Sequence, residues 1–299
     1  MSRLVFVGSV NDDAIAVVPH LPGPDQRLLA EALVHAGGGN SATAAVAAAR
    51  LGGDVAFVGP IAEDPTGERI VADLTREGVD VSGVVPVPAG AGGASVVLVD
   101  RSSGTRAICT RPLPAFELGP RARKLVADAA WVHLDHLGWP AARDVLAVGS
   151  RIGPPAPRIS VDEGNPIPGF HPRGVHLYGP TLDRLRLTYG DQPVVALLER
   201  ARADGAGLVV ATAGGDGAHL LPTTGGPVHV PGFAVDVVST LGAGDVFHGA
   251  LLLAVDRGLD PADAVRYANG AAALACRAID GRSGIPTHDE LTRFLTSAP

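Results

Sequence analysis

The segment STLGAGDVFHGALLLAV, at residues Ser239–Val255, is the most informative stretch of this sequence. The small residues at positions 242–244 stand at the start of a helix predicted over Ala243–Asp256. Backbone N–H groups at the positive end of a helix dipole form an anion-binding site when no bulky side chain covers them. Asp245 falls in the first turn of this helix. It is either an ordinary first-turn acid favoured by the dipole or a carboxylate that handles a proton beside a bound phosphate.

A second glycine-rich segment lies far upstream, at Ala36–Gly67, and begins AGGGNSATAAVAAARLGG. Its glycines come directly before a helix predicted over Ser41–Leu51. The run of alanines favours a tightly packed core helix, because small side chains let a neighbouring element approach closely. For Gly38, Gly39 and Asn40, at the start of the helix, we expect a ligand-facing role instead.

Short β-rich runs alternate with Ala- and Leu-rich helical stretches along most of the chain. This alternation predicts a mostly parallel, layered α/β sheet. The predicted strands are Leu4–Gly8, Val55–Gly59, Trp131–Leu134, Ile159–Asp162, Val175–Tyr178 and Leu208–Thr212. Two further helices are predicted over Gly67–Glu77 and Pro261–Arg277.

Two segments, Ile15–Val34 and Val84–Thr110, interrupt the alternation with β-rich pieces separated by Gly and Pro. In the second, ASVVLVD and RAICT flank RSSGT, which predicts a hairpin with its turn near Ser103–Gly104. We therefore expect one domain over residues 1–299, with a lid formed by about 15–34 and 84–110. Apolar lid strands with open edges also predict a homodimer that pairs two lids.

The composition is that of a globular protein, with 46% hydrophobic and 18% charged residues and a net charge of −7. This charge gives no reason to expect nucleic acid or an anionic membrane as a partner. The most apolar stretch, around Leu251–Val255, is far shorter than the roughly 20 residues of a membrane-spanning helix. The opening MSRLVFVGSVNDDA is too short and too acidic for a secretory signal, so we expect a cytoplasmic protein.

Lys124 is the only lysine of the chain. A phosphate-binding loop of the Walker type needs a lysine directly after its glycines, and protein kinases need one on a strand. Both classes of ATP site are therefore excluded. If the protein handles ATP, it holds the phosphates with backbone N–H groups, arginine or metal.

The two glycine motifs, in this order and at this separation, resemble the ribokinase (PfkB) family of carbohydrate kinases. The similarity runs from FVGSVNDD near the N-terminus to GRSGIP at residues 281–286. It implies a ribokinase-like layered α/β/α domain with a small β-sheet lid. It also implies a kinase that moves the terminal phosphoryl group of ATP, with Mg²⁺, onto a hydroxyl of a sugar-like molecule.

The resemblance implies roles residue by residue. Asp245 matches the catalytic base, which takes the proton of the accepting hydroxyl. The residues matching the anion hole are Gly242, Ala243 and Gly244. The candidate substrate-binding residues are Asn11, Asp13, Gly38, Gly39, Asn40, Thr43 and Arg106. The candidate ATP-binding residues are Thr212, Gly214 and Gly217, in ATAGGDGA, together with Gly242 and Gly244.

The sequence departs from the family pattern at several positions. Ser239 replaces an aspartate that often helps to bind a monovalent cation, which puts potassium activation in doubt. The Asn-x-x-Glu motif that organises Mg²⁺ should fall at Leu177–Gly190 but is not intact, and Asp183 is the nearest acid. Thr43 and the GDVFHGAL run look most like the sulfofructose kinase branch. Its lid lysine is missing, although Arg27 could replace that cation.

Three readings of function follow. The leading one is a sugar kinase, or a nucleoside kinase of the same family. The second is a catalytically weakened sugar-binding protein on the same fold, which the altered Asn-x-x-Glu region suggests and the intact Asp245 opposes. The third, a dinucleotide-binding dehydrogenase, is disfavoured because the opening strand lacks a G-x-G-x-x-G turn.

Overall fold

The computed structural model describes residues 2–103, 105–146 and 156–297. The strands are β1 (Arg3–Val7), β2 (Asn11–Val18), β3 (Ala32–Gly38), β4 (Asp54–Val58), β5 (Pro60–Ala62), β6 (Val85–Val87), β7 (Gly93–Asp100), β8 (Arg106–Arg111), β9 (Trp131–Leu134), β10 (Arg158–Glu163), β11 (Leu177–Pro180), β12 (Leu208–Thr212), β13 (Ala218–Leu221) and β14 (Val228–Val230). The helices are α1 (Asn40–Arg50), α2 (Pro65–Arg76), α3 (Pro120–Asp128), α4 (Gly138–Leu146), α5 (Leu182–Tyr189), α6 (Val194–Ala203), α7 (Ala243–Asp256), α8 (Pro261–Ala275) and α9 (His288–Ser297).

The main sheet has the strand order β14-β13-β12-β11-β10-β9-β1-β4, and all neighbours from β12 to β4 run parallel. The first strand shows why both faces are covered. Leu4 and Phe6 enter one core with α1, α7 and α8, whereas Val5 and Val7 enter a second core with α3, α4 and α6. A parallel sheet needs helices on both faces because its side chains alternate between them. The predicted three-layer α/β/α fold is confirmed.

A four-stranded small sheet, in the order β3-β2-β7-β8, branches off where β1 ends. Ile15 and Val99 on its inner face pack with Leu241 and Ile279 of the main body. The predicted β7–β8 hairpin is present, with its antiparallel register from Ala94↔Arg111 to Val99↔Arg106. Gly104, which was expected in its turn, lies outside the described residues.

The bounds expected for these lid segments were partly wrong. The small sheet takes up residues 11–38, so it begins before the predicted Ile15 and ends after Val34. In the second segment, Val85–Val87 pairs in parallel with Pro60–Ala62 and belongs to a separate two-stranded sheet. The sequence PAGAG at 88–92 separates this short strand from β7, which starts at Gly93. Pairing with a distant strand, which one sequence does not reveal, decides which sheet β6 joins.

Strands β1, β9, β10, β11 and β12 run parallel, so their carboxyl ends meet at one edge of the main sheet. The N-termini of α1 and α7 lie at the same edge, next to the small sheet. In open α/β sheets ligands bind outside the carboxyl ends of the strands. Within the described residues, no helix combines the length and the apolar character needed to span a membrane.

Candidate active site

The N-terminus of α7 carries the GAGD turn. Gly242 precedes the helix in the left-handed region, with φ +71°, which favours glycine. A Cβ at this position would lie 2.8 Å from the Cα of Gly281, so a larger side chain would push the two loops apart. No side chain of the described residues caps the helix. The first N–H groups of α7 are therefore available to an anion.

Asp245 is the third residue of α7 and lines a cavity of about 500 Å³. Burial, followed by the carboxylates of Asp162 and Asp135, raises the pKa of Asp245 well above its usual value, and Arg106 and Arg282 act in the opposite direction. A carboxylate with a raised pKa accepts a proton more readily than an ordinary aspartate does. This is the property that a general base needs.

The cavity beside Asp245, which we call the acceptor pocket, unites the two motifs found in the sequence. All the predicted substrate-binding residues line it: Asn11, Asp13, Gly38, Gly39, Asn40, Thr43 and Arg106. Asn11 and Asp13 come from β2, and Arg106 from β8 of the small sheet. The glycines, Asn40 and Thr43 come from the β3–α1 junction, so the pocket lies between the two sheets.

Asp13 is only 6% exposed, and its Oδ1 atom has no hydrogen-bond partner among the described residues. Burial raises the pKa of Asp13, while the nearby Ser95 hydroxyl and the charge of Arg282 lower it. Gly38 packs against this carboxylate so closely that a Cβ would lie 2.0 Å from Asp13 Oδ2. A buried acceptor atom without a partner is costly, so Asp13 Oδ1 is ready to receive a donor from a ligand.

Arg282 stabilises the glycine-rich junction between β3 and α1 at the base of the acceptor pocket. Its guanidinium donates to Gly38 O at 2.8 Å and to Thr43 Oγ1 at 3.3 Å. Burial lowers the pKa of Arg282 to about 10, and the nearby Asp13 carboxylate opposes that decrease. The residue joins the loop after α8 to both β3 and α1, and therefore fixes the glycine-rich junction.

Three polar residues near the end of β9 do not line the pocket. His133 is buried and bonds to Ser160 Oγ at 2.9 Å through Nδ1. Asp135 accepts from Ser9 N, Ser9 Oγ and Ser41 N, and so fastens the loop after β1 to the start of α1. His133, Asp135 and His136 are therefore not among the residues that line the acceptor pocket.

A second cavity, of about 690 Å³, adjoins the acceptor pocket, and we call it the nucleotide pocket. The expected ATP-binding residues Thr212, Gly214, Gly217 and Gly244 line it, as does Ala243. Gly242 lines only the acceptor pocket. The two cavities share Thr181, Thr212, Gly244 and Arg106.

Asp183, the candidate metal ligand, lies on the wall of the nucleotide pocket. Its side chain is 87% exposed and pairs with Arg186 at 3.1 Å. In residues 2–103, 105–146 and 156–297, no three His, Cys, Asp or Glu side chains come together as a metal site. A protein-built cage for a metal ion is thus not part of this region.

Arg106 connects the small sheet to the GAGD turn. Its guanidinium donates to Thr240 Oγ1 at 2.5 Å, across 134 residues of sequence. Because it lines both cavities, its positive charge stands where they meet.

Sequence reasoning missed Asp162, Asn165 and His248, which also line the acceptor pocket. Asp162 ends the predicted strand Ile159–Asp162, and polar residues at the carboxyl ends of parallel strands are candidates for ligand contact. That signal was present. No motif in the sequence around His248 indicates a functional role, because it lies among the apolar residues of a helix.

Comparison with known proteins identifies this arrangement. The model of the pfkB family carbohydrate kinases matches residues 1–148 and 174–288. The chain is 31% identical over 304 residues to an ATP-dependent ribose-1-phosphate kinase of Halopiger xanaduensis, covering 99% of both chains. It is 26% identical to a ribokinase of Haemophilus influenzae, again over 99% of both chains.

Solved structures have the same fold. A ribokinase of Thermotoga maritima superposes with a TM-score of 0.82 at 24% identity, covering 99% of this chain and all of that one. A ribokinase of Arabidopsis thaliana in complex with ribose and ATP gives 0.80 at 22% identity, over 99% of both chains. The chain therefore belongs to the pfkB family of carbohydrate kinases.

Proposed function

We propose that this carbohydrate kinase transfers the γ-phosphoryl group of ATP to a sugar hydroxyl at the junction of its two pockets, with Asp245 as the base. One observation carries the proposal: the uncapped N-terminus of α7 borders both pockets, with Asp245 on the acceptor pocket, Ala243 on the nucleotide pocket and Gly244 on both. A hydroxyl in the first pocket and a γ-phosphate in the second would meet at this border.

The chemistry follows from this placement. Asp245 takes the proton of the sugar hydroxyl while the hydroxyl oxygen bonds to the γ-phosphorus. The bond from that phosphorus to the β–γ bridging oxygen breaks, and ADP is released. Negative charge on the transferred group faces the N–H groups of Gly242, Ala243 and Gly244 and the dipole of α7. Phosphoryl transfer depends mainly on such positioning and charge stabilisation.

The nucleotide would lie against Thr212, Gly214 and Gly217. Mg²⁺ is commonly held by one or two carboxylates together with substrate phosphates, and bound there it neutralises phosphate charge. Asp183 and Asp216 are the carboxylates on this wall, so they are the residues that would support it.

We assign residues 1–299 to one domain, in which the small sheet is the lid over the acceptor. Its inner face supplies Asn11, Asp13 and Arg106 to the pocket. A lid that excludes water protects ATP from hydrolysis before the acceptor is bound.

The candidate acceptors are a sugar, a phosphorylated sugar and a nucleoside. A phosphorylated sugar is the acceptor in the name of the Halopiger relative, and Arg106 is the cation that would meet its phosphate. A nucleoside remains a second candidate, because the chain is 28% identical, over 87% of its length, to an aminoimidazole riboside kinase of Salmonella typhimurium. The sulfofructose branch is disfavoured, because Arg27 does not line the pocket. A purely binding protein is disfavoured too, because the base and the anion site are both intact.

Coupled ADP release over a panel of sugars, sugar phosphates and nucleosides tests the proposal. With the best acceptor, Asp245→Asn should lower kcat by ~10²–10⁴-fold, because the amide cannot take the proton. Calorimetry should show nearly unchanged binding of acceptor and nucleotide, since neither depends on proton transfer. Turnover within about threefold of wild type would remove Asp245 as the base and favour the sugar-binding protein.

A further inference from the structure

The acceptor pocket has a second carboxylate wall that the proposed mechanism does not use. Asp162, at the carboxyl end of β10, is 3% exposed and lines the pocket. It belongs to the main sheet, whereas Asp13 belongs to the small sheet. A ligand between the two sheets therefore meets a carboxylate from each.

Three groups hold the Asp162 carboxylate in place. Its Oδ1 accepts from Gly164 N at 2.7 Å and faces His248 Nε2 at 3.3 Å, and its Oδ2 accepts from Asn40 Nδ2 at 3.5 Å. A carboxylate offers about four acceptor positions. These contacts fix its orientation and leave acceptor capacity on the pocket side.

His248 is held as firmly as the carboxylate that it supports. It packs against the ring of His133, with centroids 5.8 Å apart, and a Cβ on residue 179 would lie 2.4 Å from its Cε1, so Gly179 makes room for it. Burial, followed by the charge of His248, lowers the pKa of His133 to about 4, so His133 stays neutral. Because His248 follows Asp245 by three residues on α7, the two lie on neighbouring positions of one helix face. The base and Asp162 are thus positioned by one rigid element.

Carboxylates outnumber guanidinium groups around the acceptor pocket. Asp13, Asp162 and Asp245 contribute three carboxylates, while Arg106 is the one Arg or Lys lining it among the described residues. That arginine donates to the neutral hydroxyl of Thr240, and a second guanidinium, that of Arg282, lies beside Asp13 without lining the pocket. In contrast, hydroxyl donors suit the pocket well, since Asp13 Oδ1 is buried without a partner.

We propose that Asp162, held by His248, Asn40 and Gly164, is a second acceptor-binding carboxylate, and that it and Asp13 together select an uncharged polyhydroxylated sugar. This inference rests on the proposed kinase function and names the substrate class of the same site. It sets the acceptor apart from the phosphorylated sugar in the name of the Halopiger relative.

The first test compares Asp162→Asn with wild type, using the best uncharged acceptor of the panel. In the variant, a hydroxyl of the acceptor donates to a neutral amide oxygen instead of the charged Asp162 carboxylate. The weaker bond should raise the acceptor KM by ~10–100-fold and leave the KM for ATP unchanged. Asp13→Asn should act in the same direction. Asp256→Asn is the matched control, because Asp256 is a largely covered carboxylate at the far end of α7, with its side chain 9% exposed and paired with Arg158. It should leave the acceptor KM unchanged.

The second test uses wild-type protein with D-ribose and ribose 1-phosphate, and with other uncharged and phosphorylated sugar pairs. Repulsion between a phosphate and nearby carboxylates should make kcat/KM for the uncharged member higher by ~100-fold. Asp162→Asn should bring the two kcat/KM values closer together. It weakens binding of the uncharged acceptor and reduces the repulsion of the phosphorylated acceptor. A general loss of structure would lower both rates together and leave the ratio unchanged.

The outcomes separate the two proposals. ADP release that depends on Asp245, with an unchanged acceptor KM in Asp162→Asn or with ribose 1-phosphate preferred over ribose, would overturn the Asp162 inference and leave the kinase function standing. No turnover with any acceptor would reject both. If Asp162→Asn does not fold, the wild-type preference between paired acceptors still decides the substrate class.

Discussion

Ser239 shows how one side chain can change the ion requirement of an anion site. It stands three residues before Gly242, is buried, and its Oγ accepts a hydrogen bond from Leu241 N at 3.2 Å. A hydroxyl that is already engaged with the backbone brings no negative charge to this turn. The position therefore supports the loop that carries the anion site without offering a charged ligand to a cation.

We accordingly expect weak or no activation by potassium. Rates measured in KCl and in NaCl at the same ionic strength should agree. The neutral Ser239 hydroxyl binds a monovalent cation much more weakly than an aspartate carboxylate would. Choline chloride serves as the control for ionic strength itself. A several-fold stimulation specific to potassium would show that other oxygens complete a cation site.

The difference between predicted and missed site residues also has a cause at this scale. Asp13, Gly38 and Asp245 lie in motifs whose meaning is local, such as a glycine turn before a helix. Asp162 and His248 can be recognised as site residues only from their contact with each other, across 86 residues, where β10 meets α7. A single sequence does not contain that proximity, so the missed half of the pocket needed the structure.

At the scale of elements, the β7–β8 hairpin places Arg106 at the active site. Val97 and Val99 on β7 fix the inner face of the hairpin against the main body. Arg106 pairs in register with Val99, so its guanidinium is directed to the same side and reaches Thr240. The hairpin thus works as a support that brings a positive charge to the junction of the two pockets.

Replacing this charge gives a test of the element. Arg106→Met keeps the length of the side chain but removes the charge, and should lower kcat/KM by roughly 10–100-fold, the effect of losing a charge-assisted hydrogen bond. Arg101→Met is the control, because Arg101 lies at the tip of the same hairpin and only approaches Glu31, at 4.0 Å. Steady-state kinetics of both variants tests this. Equal kcat/KM values for Arg106→Met and Arg101→Met would show that the charge of Arg106 does not contribute to the reaction.

For the whole molecule, the sequence predicted the main body better than the small sheet. The strands Trp131–Leu134 and Leu208–Thr212 and the helix Ala243–Asp256 match the prediction residue by residue, because buried parallel strands and apolar helices have continuous hydrophobic patterns. The strand predicted at Val175–Tyr178 is found at Leu177–Pro180. Short strands such as β6 carry too little pattern to reveal the sheet that they join.

The outer face of the small sheet predicts assembly of two copies. Leu33 on β3 is 77% exposed and Val96 on β7 is 54% exposed, and the edges of β3 and β8 have no partner strand in the described part of the chain. Pairing two such sheets would cover apolar surface and open edges together. We therefore expect a homodimer through the small sheet.

Sedimentation at micromolar concentration should show the dimer, and Val96→Glu should dissociate it by placing a charge in the interface. Val195→Glu is the control, because Val195 is a similarly exposed valine on α6, away from the small sheet. A wild-type monomer under these conditions would contradict the assignment, as would equal dissociation by both variants.

The bond from Arg282 to the carbonyl of Gly38 joins residues 244 positions apart. During synthesis, the glycine-rich junction leaves the ribosome long before the arginine that fixes it. A nascent chain can therefore form its early strands and helices while its acceptor pocket still lacks a floor. Contacts of this sequence separation form late, because the intervening chain must first be ordered. We therefore expect the sugar to bind only after the C-terminal part of the chain has folded.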